Sequence, residues 1–165
     1  MLQVWRFITL VWVALALTLT SAHVLELPQK LQCDAALYAA VNSTLYRQFA
    51  TVGVVYSIGQ ILAAGLLAFA VRRRPRAYRW TLAGTALLLM WFVSWVLIVA
   101  PVNDEAARAL NASPDLVPAV WMRLRERWEY GHAVGFVFQL LGFCVLLLAV
   151  LMDAQPESHR IRLGR

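Results

Sequence analysis

Gly131-His132-Ala133-Val134-Gly135-Phe136-Val137-Phe138-Gln139-Leu140-Leu141-Gly142-Phe143-Cys144-Val145-Leu146-Leu147-Leu148-Ala149-Val150-Leu151-Met152 contains no Asp, Glu, Lys or Arg. Its length matches the roughly 20 residues that carry a helix across a bilayer core. Three further runs, 4–22, 50–71 and 80–100, have the same character, and no period-two strand pattern competes with a helical reading. Arg6 stands close enough to the end of the first run to snorkel. Together the four runs predict an all-α fold, an integral membrane four-helix bundle in a single domain over residues 1–165.

Composition agrees. Apolar residues make up 61% of the 165-residue chain and charged residues only 15%, well under the ~25% of soluble domains. The net charge of +6 does not point to nucleic acid, because the basic residues sit in short clusters beside the apolar runs. The sequence Arg72-Arg73-Arg74-Pro75-Arg76-Ala77-Tyr78-Arg79, with Arg6 and the tail arginines Arg160, Arg162 and Arg165, gathers nine basic residues on one side against Asp153 and Glu157. The other side holds six basic residues against seven acids. This asymmetry predicts a plasma (inner) membrane protein with both termini cytoplasmic. A rival reading takes residues 1–22 as a signal peptide cleaved before His23, leaving three spans. Cys33 and Cys144 fall at different expected depths and are not expected to pair.

Between the runs lie segments with signals of their own. Pro28 predicts a kink or stop near Val24–Leu27. Asp34 predicts the cap of a short amphipathic helix through Leu37, Val41 and Leu45. Pro101-Val102-Asn103-Asp104-Glu105 reads as a helix stop and turn. Residues 119–130 read as an amphipathic lead-in to the last span, with Trp121 and Trp128 at the membrane interface.

Two motifs mirror each other. His23-Val24-Leu25-Glu26 ends the first run, and Glu129-Tyr130-Gly131-His132 opens the last. A spacing of three places each pair on one helix face. On antiparallel helices both histidines would lie deeper, at matched levels, with His23 and His132 facing each other. A carboxylate and an imidazole from each of two helices is a familiar bundle metal set. His23, Glu26, Glu129 and His132 are therefore the candidate ligands of a non-haem transition metal, Fe, Zn or Cu. Haem ranks below, since the Glu pair has no role in it. The alternative is that these groups only pair with one another and with Arg123, Arg125 or Arg127.

Small and polar residues form stripes at helical spacing: Arg125, Trp128, His132, Gly135, Gln139 and Gly142 on the last helix, Gly53, Tyr56, Ser57, Gln60 and Ala64 on the second. Tyr56, Gln60, Trp95, Trp128 and Gln139 are the candidate pocket residues. Gln60 and Gln139 lie at similar depth and would either bond each other or floor the pocket.

The run Pro101-Val102-Asn103-Asp104 followed by Trp121-x-x-Leu124-Arg125-x-Arg127-Trp128-Glu129-x-x-His132 resembles the anthrone oxygenase-like family of small four-helix membrane proteins. The resemblance implies a site built from Asn103, Arg127, Trp128 and His132, and oxidation of anthrones to anthraquinones by dioxygen. Gly135 stands where the family pattern often places an arginine. On this reading His132 is the general base or metal ligand, and Arg127 and Asn103 stabilise a developing oxyanion. The second functional class is a non-enzymatic membrane protein that binds a lipid or a partner through the same pocket. Expected partners are membrane lipid and a hydrophobic small molecule, with no nucleic acid.

Overall fold

The computed structural model describes residues 1–154, all helix and short connections with no strand among them. The tail residues Glu157, Arg160, Arg162 and Arg165, counted in the charge asymmetry, lie outside the described residues. Six α-helices follow in order: α1 Leu2–Lys30, α2 Ala35–Thr44, α3 Arg47–Ala70, α4 Pro75–Ser94, α5 Ala100–Ala112 and α6 Val117–Ala154. A π-helical segment, Trp95–Val99, joins α4 to α5, and a short turn of 3₁₀ helix, Pro114–Leu116, leads into α6. Four helical stretches are long and apolar enough to cross a membrane: Leu2–Lys30, Gln48–Ala70, Pro75–Ala112 and Pro114–Asp153. Large apolar side chains such as Phe7, Leu62, Phe69, Leu97 and Leu148 stand exposed on their outer faces, a surface suited to lipid rather than water.

In the ring α1–α3–α4–α6 each helix packs on its two neighbours. Both described ends lie at one end of this bundle, here called proximal. There Asp153 of α6 pairs with Arg6 of α1 and with Arg74 before α4. The snorkelling expected of Arg6 does not occur. Its side chain is buried and is paired with Asp153. Above this, Val13, Ala64, Leu88 and Leu146, one from each helix of the ring, close a dry layer. α2 and α5 cover the opposite, distal end, where the largest core cluster gathers around Tyr38, Tyr46, Trp121 and Trp128.

Three local expectations are corrected. Pro28 lies inside α1 and the helix runs on to Lys30. It sits in the last turn, so only one backbone bond is forfeited, and Leu31 N–H still closes on Leu27 O at 3.0 Å. Pro101 does not stop the chain. It occupies the first turn of α5, where its missing N–H forfeits one backbone bond, and the wider π turn before it makes room for the ring. Asp34 does cap α2, accepting from Leu37 N–H at 2.8 Å. The buried face of α2, however, is Tyr38, Ala39 and Asn42, while Leu37 and Leu45 point outward.

Candidate functional site

α1 and α6 run antiparallel as neighbours, and their mirrored spacing brings His23 and His132 together. The imidazoles stack with centroids 4.0 Å apart and planes 25° from parallel. His23 also stacks on Tyr46 at 4.8 Å and meets the edge of Trp128 at 4.9 Å. His132 lies 4.4 Å from Trp128 one turn away on its own helix. Both histidines are buried.

The carboxylates of the two motifs do something else. Glu129 is fully buried and accepts a hydrogen bond from the Tyr38 hydroxyl at 2.9 Å. Lys30, two turns beyond His23, places Nζ 3.5 Å from Glu129 and 3.6 Å from Glu26. At these lengths the contacts are ion pairs rather than hydrogen bonds. The same ammonium lies 3.8 Å above the Tyr46 ring centroid and 4.8 Å from that of Trp128, so two aromatic faces add to its stabilisation. Lys30 thus stands between the two glutamates. The four candidate ligands are split into a stacked imidazole pair and a carboxylate pair held by an internal cation. Among the described residues, no three His, Cys, Asp or Glu side chains are grouped to hold a metal ion. Burial, and after it the negative Glu129, push the Tyr38 phenol up from its ordinary value, so it remains a proton donor to the carboxylate.

A cavity of about 910 Å³ opens beside the imidazoles, bounded by α1, α2, α3, the α4–π segment, α5 and α6. That volume is ample for a small organic ligand. Of the expected site residues, His23, Tyr56, Trp95, Asn103, Trp128 and His132 stand in its wall. Asn103 is held by Trp128, whose Nε1–H donates to Oδ1 at 2.8 Å. Indole nitrogen is a donor only, so this contact fixes the amide with its NH₂ group free to donate elsewhere.

Gln60 and Gln139 lie beneath the cavity, outside its wall. Gln139 donates to Gln60 at 2.9 Å and the Thr20 hydroxyl to Gln139 at 2.6 Å, a sealed polar bridge across the bundle. Glu26, Glu129 and Arg127 also stand outside the wall. Arg127 is exposed and donates over 3.4 Å to Leu97 O. That carbonyl is one turn before Pro101, which has no N–H to give it, so Arg127 serves the backbone of the π segment. Trp121 and Trp128, expected at the membrane interface, are both buried in the wall, because α2 and α5 fold over them.

Sequence reasoning missed Lys30, Tyr38, Asn42 and Tyr46. The last three carry a signal, spaced by four along one face, and Lys30 follows Glu26 by the same spacing on α1. The chain matches no family model, no curated protein and no solved structure.

Proposed function

We propose that this protein draws a hydrophobic molecule, aromatic or lipid-like, from the membrane and acts on it as an oxidoreductase of oxygenase type, with His132 as the base. The observation that carries the reading is the large, mainly apolar cavity with two stacked imidazoles in its wall. A neutral imidazole can accept a proton at its free ring nitrogen, and no carboxylate or thiol side chain lines the cavity to compete for that role. His132 would take the proton from an activated C–H or O–H of the bound molecule, with His23 stacked against it as a neutral ring. The oriented amide of Asn103 would donate to the oxygen on which negative charge develops. In the oxygenase reading dioxygen is the oxidant. One of its atoms ends in a product carbonyl, and the other leaves as water with the two hydrogens removed from the substrate. The resemblance to the anthrone oxygenase-like pattern supports this chemistry through Asn103, Trp128 and His132.

The reading places the cavity towards the outer leaflet and the Arg72–Arg79 connection in the cytoplasm of a plasma (inner) membrane protein. Cysteine labelling should then find residue 76 accessible from inside and residue 111 from outside.

Dioxygen consumption by protein in lipid nanodiscs, offered an anthrone and a membrane lipid extract, tests the activity. Turnover that falls about 10²–10⁴-fold in His132→Ala is the expected result. A folded His132→Ala protein with full activity would overturn it. One observation favours a purely binding role. Arg127 bonds Leu97 O on the exposed surface, which leaves the wall without a cationic side chain. Saturable binding without dioxygen consumption by any substrate would decide for that second reading.

A further inference from the structure

The proximal end carries more positive charge than its own contacts consume. α3 and α4 each belong to a stretch long and apolar enough to cross a membrane, and only residues 71–74 join them. This connection therefore stands at headgroup level whichever way the bundle faces. Arg6, Arg72, Arg73, Arg74, Arg76 and Arg79 gather there against Asp153 as the one acid among the described residues of that end. Six cations less one anion leave an excess of five. Arg6 and Arg74 share Asp153. Arg72 donates to Phe69 O at 2.8 Å and lies 3.8 Å above the centroid of its ring. Arg73, Arg76 and Arg79 are exposed and pair with no acid among the described residues. The sequence beyond residue 154 holds Arg160, Arg162 and Arg165 against Glu157, a side-chain balance of the same sign.

Placement adds to charge. Arg76, Arg79 and Trp80 are spaced by three and four along α4 and so share one helix face, and all three are exposed. Trp80 lies one turn, about 6 Å, inward of Arg76, where an indole favours the bilayer interface. Beside it a notch of about 10 Å³ separates Arg76, Ala77 and Trp80 of α4 from Ala149, Met152 and Asp153 of α6. That is room for one oxygen-sized group. Asp153 does not repel an anion there, because two arginines already pair with it. Further inward Leu82, Ala83 and Met90 are exposed and apolar. From the end of the bundle inward the surface reads cation, indole, hydrocarbon, the order in which a phospholipid presents phosphate, ester and chain.

From these features we infer that this face of α4 binds the head of an anionic phospholipid, with Arg76 and Arg79 on the phosphate and Trp80 at the level of the ester. A guanidinium fork matches two phosphate oxygens at once, and an indole N–H can donate to an ester carbonyl. A zwitterionic lipid brings its own ammonium to a surface with positive charge in excess, and a lipid such as phosphatidylglycerol does not. A soluble phosphate meets the arginines but gains nothing from Trp80 or from the apolar surface beyond it. Topology depends on the number of arginines. The head site depends on Arg76 and Arg79 in particular and not on Arg72, whose guanidinium is already taken. The site lies at the opposite end of the bundle from the cavity and does not depend on what the cavity does.

The test uses the full chain in phosphatidylcholine nanodiscs doped with either phosphatidylglycerol or phosphatidylcholine brominated near the ester end of its chains. Bromine quenches tryptophan on contact, and the difference between the native protein and Trp80→Phe isolates the Trp80 signal. Each arginine near an anionic lipid strengthens binding about fivefold. Brominated phosphatidylglycerol should therefore half-quench Trp80 at a mole fraction at least about fivefold lower than brominated phosphatidylcholine. Arg76→Gln combined with Arg79→Gln should cut that preference at least about threefold, and Arg72→Gln should change it by less than about twofold. Should the double variant fail to fold, the two-lipid comparison on the native protein, and its weakening in high salt, decide alone. Equal quenching by the two lipids, a smaller cut in the double variant, or an equal cut in Arg72→Gln would overturn the site. Displacement of the brominated lipid by inorganic phosphate at constant ionic strength would overturn the lipid in favour of a soluble anion.

Discussion

The two halves of the bundle solve the same packing problem in opposite ways. Proximally the helices touch through their smallest residues. A methyl group added at Gly84 of α4 would lie 2.7 Å from Leu146 and 3.2 Å from Gly142 O, and one added at Gly142 would lie 3.2 Å from Gly84 O. Backbone meets backbone, and nothing but Gly fits. Distally the helices meet through side chains instead: a methyl added at Gly131 or Gly135 would lie 2.8 Å from Ile98 or 2.9 Å from Trp91, and large rings and a buried charge fill the rest. Tyr46, Trp121 and Trp128 fill the corners, and Lys30 ties α1 to α6 through Glu129. A half that closes on glycine leaves no room for a ligand. A half propped on aromatics and ions keeps about 910 Å³ open. The contrast teaches that the cavity is built by its props, which the proximal half dispenses with.

Removing a prop should have the largest effect. Lys30→Met keeps the stem and deletes the ammonium, leaving Glu129 buried without its cation. A loss of roughly 3–5 kcal/mol is expected for breaking such a buried pair, read by reversible unfolding in mixed micelles. Adding Glu129→Gln should recover most of that loss, and no recovery would mean that the lysine acts by packing alone. Next comes the proximal contact. Gly84→Leu should destabilise by about 1–3 kcal/mol through overpacking, with the cavity's ligand affinity preserved among molecules that remain folded. Tyr38→Phe should cost about 1.5–3 kcal/mol, the range for hydrogen bonds to charged groups, which places it level with the glycine variant in the same unfolding assay. Gly53→Ala reverses the sign. Its methyl would meet only Leu19, at 3.8 Å, so helix propensity should stabilise the protein by about 0.5–1 kcal/mol. A destabilised Gly53→Ala would mean that α3 is packed on α1 as tightly as α4 is on α6.

The parts of this architecture that could be read from sequence were those governed by period and length. Apolar runs of span length gave the four long helices, and the two three-residue spacings gave the stacked histidines. What escaped reading depends on contacts between segments that no single period encodes. A lysine near the end of an apolar run reads as a surface charge, and Lys30 is buried because Glu26 and Glu129 converge on it from two helices. On α2 the apolar stripe Leu37–Val41–Leu45 packs only through Val41, and Leu37 and Leu45 stay exposed. Tyr38, Asn42 and Tyr46 are buried beside it, because Tyr38 and Tyr46 join the core cluster and Tyr38 also bonds a buried carboxylate. Arg127 sits in a motif with His132, yet one residue of helical phase, about 100°, turns it out of the cavity. Pro101 was a fair stop signal, and only the wide turn before it removed the clash.

That wide turn carries one further consequence. A π segment accommodates one more residue than an α ladder needs, so Trp95–Val99 works as a phase shifter in the chain. Everything on α5 is aimed by it: Asn103, Ala106 and Leu110 reach the cavity because the backbone before them has been rotated by that extra residue. Deleting a single residue within Trp95–Val99 would restore an ordinary ladder and swing all of α5 by about 100° about its axis. Asn103 would part from Trp128, and one wall of the cavity would turn its other face inward. The shape of the chamber is therefore sensitive to the length of this segment as well as to the identity of its side chains, and an insertion or deletion there would remodel it in one step where point substitutions would need several.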